Sequence, residues 1–424
     1  MTELAVRAAD LQALMGLFAP EQIADPYPAY REWRVQQPIA RPHERLFVLS
    51  RFADCEAVLA DASFGHAGPG DTRPFGGRAR GANIGSFLGM NPPDHTRLRR
   101  LVSRAFTPAR VKALTPRIEA ITGELLDGID HEEGPFDLVE RLALPLPVRV
   151  ICELLGVRPG DHDLLVGWSA ALSRALDPDF LLTGDDRARQ HDARAAFAAY
   201  LRGLLPVRRQ FPGGDLISAL VQVHDEGDAL SEDELIAIVM LLLVAGHETT
   251  RSLIGGGALA LLRHPGQLTV LREHPELTGQ AVEELLRYDP PVQLVTRYAL
   301  RDAQVAGSAI PAGSFVLLLV GAANRDQTVF RDPDRFEVRR GTQRHLAFGH
   351  GIHFCLGAPL ARLEATVALR CLLPVLARAR IAAEPAWKPN TVLRGLQQLR
   401  LVDARGAGGT VGADEPGPTA EAQQ

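Results

Sequence analysis

A helix that is apolar on every side can only run through the middle of a large core, and this chain contains one. Ser231 and Glu234 form a Ser-x-x-Glu capping box, in which each side chain satisfies a backbone amide at the start of a helix. Leu235 to Ala245 then carry no charged or hydroxyl side chain, and His264-Pro265 ends the element. A helix without a polar face needs packing partners all round. The 46% hydrophobic content of the 424 residues can supply them, since it suits a large buried core. Directly after the apolar run come Gly246, His247, Glu248, Thr249 and Thr250. Polar groups in a buried helix are costly unless they find partners. From these residues alone two readings stand: the helix surfaces here, or the block serves a function inside.

The rest of the chain reads as mostly helical. Asp25-Pro26-Tyr27-Pro28 opens a helix through about Gln36, and residues 46 to 50 and 314 to 320 read as short strands. Residues 64 to 93 are rich in Gly and Pro without a period and read as a loop. Helices follow one another to about 288, and Pro, Asp and Gly punctuate short extended pieces from 289 to 345. No linker or repeat divides residues 1–402, so one large domain is expected. Residues 403–424 are polar, with Gly and Pro and no apolar period, and are expected to lie outside it as a disordered tail. The formal charge of −5 gives no reason to expect nucleic acid. Cys55, Cys152, Cys355 and Cys371 make no disulfide framework and no paired metal spacing, which fits a reducing compartment. Asp10, Glu21 and Asp25 interrupt the N-terminal region, so neither a signal peptide nor a membrane anchor is expected and a cytoplasmic location follows.

The second informative segment is Phe348-Gly349-His350-Gly351-Ile352-His353-Phe354-Cys355-Leu356-Gly357. A lone Cys among apolar residues is usually an inert core group. Here Gly349, Gly351 and Gly357 let the backbone fold tightly and approach a flat ligand, and Phe348 can pack against it. The run from Ala358 to Leu376 reads as a helix, so Cys355 lies just before a helix N-terminus, where the dipole favours a thiolate. A thiolate in such a loop is a suitable axial ligand for a haem iron.

This segment resembles the haem-binding loop of the cytochrome P-450 family, Phe-x-x-Gly-x-x-x-Cys-x-Gly, including the common His two residues before the Cys. Ala245-Gly246-His247-Glu248-Thr249-Thr250 resembles the family's oxygen-activation motif, and Glu284-Leu285-Leu286-Arg287 its Glu-x-x-Arg motif. Ala323-Asn324-Arg325-Asp326 and Pro333-Asp334-Arg335-Phe336 resemble fragments of its meander. The resemblance runs to about residue 402 and implies a mainly α domain with a small β-rich region. It implies haem b held by Cys355, and Thr249 and Glu248 as the catalytic hydroxyl and acid, with Thr250 a packing residue. Ala245 and Gly246 would leave room for dioxygen, and Phe348 and Gly349 would lie against the haem. Two protons must reach the distal oxygen, and a hydroxyl backed by a carboxylate is a reasonable route.

His95, Arg99, Arg297 and His353 would bind the propionates. At 100° per residue His95 and Arg99 lie within about 40° of each other, with Arg97, Arg100 and Arg104 on the opposite side. That outward face is an expected dock for an acidic ferredoxin or flavodoxin, which with its reductase would bring electrons from NAD(P)H. Glu284, Arg287 and Arg335 would form a buried structural lock behind the loop. By analogy the substrate pocket takes in Ile84, Phe87, Leu88, Met240, Leu243, Val244, Val292, Leu294, Val295, Leu396 and Gln397. These are mostly apolar, so an apolar or amphipathic small molecule is expected.

The expected activity is that of a monomeric haem-thiolate monooxygenase of the soluble bacterial type that tailors secondary metabolites such as polyketides and terpenoids. Two alternatives stand beside it. One is a peroxide-driven enzyme of the same fold, against which the intact Glu248-Thr249 pair speaks. The other is a non-catalytic haem-fold module for recruitment or sensing.

Overall fold

The computed structural model describes residues 11–66, 86–130, 134–174, 176–177, 181–225, 228–341 and 344–403. Six helices position the site: α1 (Asp94–Ala105), α2 (His162–Arg174), α3 (Gly184–Gln210), α4 (Glu232–Arg263), α5 (Thr278–Tyr288) and α6 (Ala358–Arg378). The expected capping box starts α4: Glu234 N donates to Ser231 Oγ at 3.3 Å, and Ser231 N donates to Glu234 Oε2 at 2.8 Å. This helix is apolar and long enough to cross a membrane, yet 78% of its most apolar window is buried within the protein. It packs against α2, α5, α6 and the helix Pro145–Leu155. Gly246 makes one of these approaches close, because a Cβ there would stand 3.1 Å from Ile151 Cδ1.

A five-stranded sheet lies beside the helices: β1 (Ile39–His43), β2 (Leu46–Leu49), β3 (Phe64–Gly65), β4 (Val295–Ala299) and β5 (Phe315–Leu318), in the order β1-β2-β5-β4-β3. Only β2 and β5 run parallel. All four residues of β2 are buried, because alternate side chains enter different cores. Phe47 and Leu49 join Phe52, Phe330 and Leu346, whereas Leu46 and Val48 join Leu14, Tyr27 and Trp33.

Most of the expected elements are present, with three differences. The glycine-rich stretch is ordered at its ends, as β3 and as a 3-10 turn at Phe87–Gly89, while residues 67–85 lie outside the described residues. The body continues through Asp403, which pairs with Ala379 in a strand ladder and takes the Arg378 guanidinium at 2.9 Å. Residues 404–424 lie outside the described residues. Short strands at Ala379–Ile381, Ala386–Trp387, Leu396–Gln398 and Arg400–Asp403 had no clear sequence period.

Candidate active site

The loop before α6 is shaped by glycine where the backbone requires it. Gly349 and Gly351 both take positive φ, 71° and 69°, which L side chains resist. A Cβ on Gly351 would also stand 2.5 Å from the Leu59 carbonyl oxygen. The fold brings Cys355 back beside Phe348, whose carbonyl accepts the Cys355 amide at 2.9 Å. Burial pushes the Cys355 thiol up, while the Gly357 and Ala358 amides and the Arg99 and Arg362 charges pull it down. Thus the N-terminus of α6 does favour thiolate, but burial outweighs it and the thiol is raised overall. Phe348 is braced from behind by Arg362, whose guanidinium lies 4.5 Å from its ring centre.

Beside this loop α1, β4 and the residue after β3 deliver a cluster of nitrogen bases. The His353 ring lies 4.2 Å from that of His95 and 4.8 Å from that of His66, centre to centre. Both ring nitrogens of buried His95, and Nε2 of His66, have no hydrogen-bond partner among the described residues. Burial, reinforced by the neighbouring bases and Arg297, lowers His353 to about 2. Burial, Arg297 and His95 likewise lower His66 to about 3. Arg297 is 7% exposed and is lowered to about 10 by burial alone, with no described carboxylate opposing it. A buried arginine and orphaned imidazole nitrogens are expensive unless an anion completes them. The chemistry of this donor set fits the carboxylates of a haem. Three of the four expected residues, His95, Arg297 and His353, therefore converge here, with His66 as an addition that no motif announced. Arg99 lies near them but braces the loop, donating from Nη2 to the Phe354 carbonyl at 2.7 Å.

Between Leu235 and Gly255 of α4, the incompletely buried residues are Leu242, Ala245, Gly246 and Thr249. Their spacing of three and four puts them on one stripe. Thr249 Oγ1 donates to the Ala245 carbonyl at 2.7 Å and Thr250 Oγ1 to that of Gly246 at 3.0 Å. Thr250 is buried, as its packing role requires. Glu248 faces the other way. It is 2% exposed and pairs with Lys388, and its Oε1 lies 3.5 Å from His247 Nε2. Burial raises this acid, but His247 and Lys388 together hold it well below the usual carboxylate range.

The lock differs from expectation in one member. Arg287 donates to Glu284 at 2.7 and 2.8 Å, and Arg340 Nε donates to the same carboxylate at 3.1 Å. Arg335 is exposed and contributes its carbonyl, which accepts from both Arg287 and Arg340. The second cation is thus Arg340. Asn324 links the lock to the loop by accepting the Leu346 amide at 2.8 Å.

The expected pocket is only partly assembled. Phe87 is buried against His95 and under the Arg99 guanidinium, whereas Leu88 is 44% exposed. Met240, Leu243 and Val244 are core residues, so Leu242 is the apolar side chain that shares the stripe with Ala245. Leu294 packs with Tyr27, Tyr30 and Trp33 beyond the sheet, away from α4. Val292 bridges to Leu393, Val295 begins β4, and Leu396 is buried near Gly255 while Gln397 is exposed. Ile84 lies outside the described residues. The expected outward arginine face is also changed, because Arg97 is tied to Asp228 and Glu234.

Residues 206–375 match the profile of the family described as cytochrome P-450. The chain is similar to the cytochrome P-450 monooxygenase PikC of Streptomyces venezuelae, 42% identical over 402 residues, covering 92% of this chain and 94% of that protein. It is similar to the mycinamicin IV hydroxylase/epoxidase of Micromonospora griseorubida, 43% identical, covering 88% of this chain and 94% of that protein. Among solved structures, ligand-free CYP164A2 of Mycobacterium smegmatis superposes with a TM-score of 0.85 at 46% identity, covering 92% of this chain and 99% of that one.

Proposed function

The chain belongs to the cytochrome P-450 family and is a haem-thiolate monooxygenase, and from that premise we propose which residues do the work and on what. Cys355 would hold the haem iron, and His95, Arg297 and His353, joined by His66, would take the propionates. The observation that carries this reading is that the Cys355 loop sets His353 against a buried Arg–His cluster that no described acid completes. Bound haem supplies activation of dioxygen, so that one oxygen atom enters the substrate and the other leaves as water.

The chain's own contribution is orientation and proton supply. Phe348 and Gly349 shape the loop, and Arg99 fixes the Phe354 carbonyl next to the ligand. The stripe of Leu242, Ala245, Gly246 and Thr249 would wall the haem on the side away from Cys355, and Thr249 would present its hydroxyl there. Glu248, one residue earlier and about 100° round the helix, is the buried carboxylate through which a proton would pass on the inner side. Electrons come from NAD(P)H through a ferredoxin or flavodoxin and its reductase.

The substrate is an apolar or amphipathic secondary metabolite that is hydroxylated or epoxidised. Relatives named 6-deoxyerythronolide B hydroxylase and mycinamicin IV hydroxylase/epoxidase support this class.

The first test is the carbon monoxide difference spectrum of the dithionite-reduced protein. A red-shifted Soret band in the wild type, lost in Cys355→Ala, is expected. A haem spectrum without that band in the wild type would overturn the ligand assignment. Thr249→Ala is expected to keep the band and to release more of its reducing equivalents as peroxide.

A further inference from the structure

The chain has only two lysines, Lys112 and Lys388, among 46 lysines and arginines. Lys112 is exposed. Lys388 is buried to 11% side-chain exposure, and its ammonium pairs with Glu248 on α4. A chain whose other cations are nearly all arginines places a lysine beside its buried acid. The two differ chemically: a guanidinium keeps its proton, whereas a buried ammonium can release it. Burial does push Lys388 down, with Glu248 opposing.

A second observation comes from the other side of Lys388. A cavity of about 330 Å³ lies between α2, α3 and the segment that carries Lys388. Its lining includes Ser173, Arg174, Arg189, Lys388, Asn390 and Gln397. Arg189 is 66% exposed, so the cavity reaches the surface. A space of this size that opens to solvent and carries several polar side chains on its wall can admit water. The Lys388 side chain therefore spans from this cavity to the buried acid. His247 closes the far side. Its Nδ1 lies 2.8 Å from the Leu243 carbonyl and must be the donor to it. A hydrogen on Nε2 then exists only in the imidazolium form.

We propose that Lys388 is the positioning and relay residue through which protons pass from this cavity to Glu248. The ammonium gives one proton to the Glu248 carboxylate, leaving a neutral amine and a carboxylic acid. Cavity water, charged from bulk solvent, returns a proton to the amine. Glu248 then supplies the Thr249 side of the helix. The inference deepens the monooxygenase reading and rests on it.

Two variants test it in the haem-loaded enzyme, reduced by NADPH through a plant-type ferredoxin and its reductase with styrene as apolar probe. Lys388→Arg keeps the ion pair but cannot release a proton, and Lys388→Met removes both. Both are expected to keep the carbon monoxide band and to lose about tenfold in coupled product formation, with peroxide rising in step and the solvent deuterium isotope effect changing. Oxidation of styrene driven by added peroxide, which needs no delivered proton, should be unchanged. Coupling in Lys388→Arg equal to the wild type would overturn the relay, because charge alone would then suffice.

If the variants do not fold, a haem-independent measurement decides. With [15N]lysine, the protein gives two side-chain signals. That of Lys388 should exchange slowly and move in Glu248→Gln, and a Lys388 signal indistinguishable from exposed Lys112 would overturn the pairing. Failure of the wild type to show the thiolate band would instead remove the monooxygenase reading.

Discussion

Two buried polar clusters flank the Cys355 loop, and they are built on opposite terms. In the cluster of Glu284, Arg287 and Arg340 the donors meet acceptors: the carboxylate takes both guanidinium groups and the Glu337 amide, and the arginines also bind the carbonyls of Asn324, Pro333 and Arg335. In the cluster of His66, His95, His353 and Arg297, imidazole nitrogens stand unpartnered and no described acid opposes the arginine. Saturation marks a part of the scaffold, since a satisfied network rigidifies its surroundings. Deficiency marks a binding site, since the missing partner must arrive from outside the chain.

Breaking the saturated cluster should have the largest effect. Glu284→Gln leaves two buried guanidinium groups without their carboxylate and should cost about 3–5 kcal/mol. Urea denaturation of the haem-free protein would measure it. A loss under about 1 kcal/mol would show that the lock is not structural.

In the deficient cluster the same kind of change should spare the scaffold. Arg297→Leu removes a buried, unopposed charge, so the haem-free protein should be unchanged or more stable by about 1 kcal/mol. Haem affinity should fall about 10- to 100-fold, measured by transfer of haem to apomyoglobin. Equal haem retention in wild type and variant would remove Arg297 from the propionate site.

The smallest effect sharpens the membership of the lock. Arg335→Ala deletes an exposed side chain and leaves its carbonyl in place, so stability should move by no more than about 0.5 kcal/mol. Arg340→Ala should cost about 2–3 kcal/mol by stripping Glu284 of one partner. Comparable urea midpoints for the two variants would contradict the assignment of Arg340.

How much of this the sequence discloses depends on how local each signal is. The capping box, the apolar run of α4, the Glu284–Arg287 pair and the glycine-shaped loop are encoded within about ten residues each, and all appear as expected. The partners that come from far along the chain do not. Arg340 reaches Glu284 across 56 positions, and Lys388 reaches Glu248 across 140. Arg335 shows the converse. The motif residue is in place, but it is the backbone carbonyl that bonds, and a side-chain pattern cannot reveal that.

Register explains the pocket. Met240 and Leu243 differ from Leu242 only in their angle round α4, and that angle is set by what packs against the helix. His66 adjoins a stretch without a period, so nothing in its neighbourhood singled it out. Only the composition hinted at Lys388, through the scarcity of lysine.

The segment from Trp387 to Leu396 carries bonds to three separate parts of the fold. Lys388 pairs with Glu248, and the Thr391 and Val392 amides donate to buried Asp177 at 2.9 and 2.8 Å. Arg394 donates to Asp289 at 2.8 Å and stacks 3.8 Å from the Trp387 ring, and the Leu396 carbonyl accepts from Arg251 at 3.4 Å. Any effort to redirect the enzyme to new substrates by altering this turn will therefore meet strong epistasis. Substitutions here share partners and will not add, so the segment has to be varied as a block.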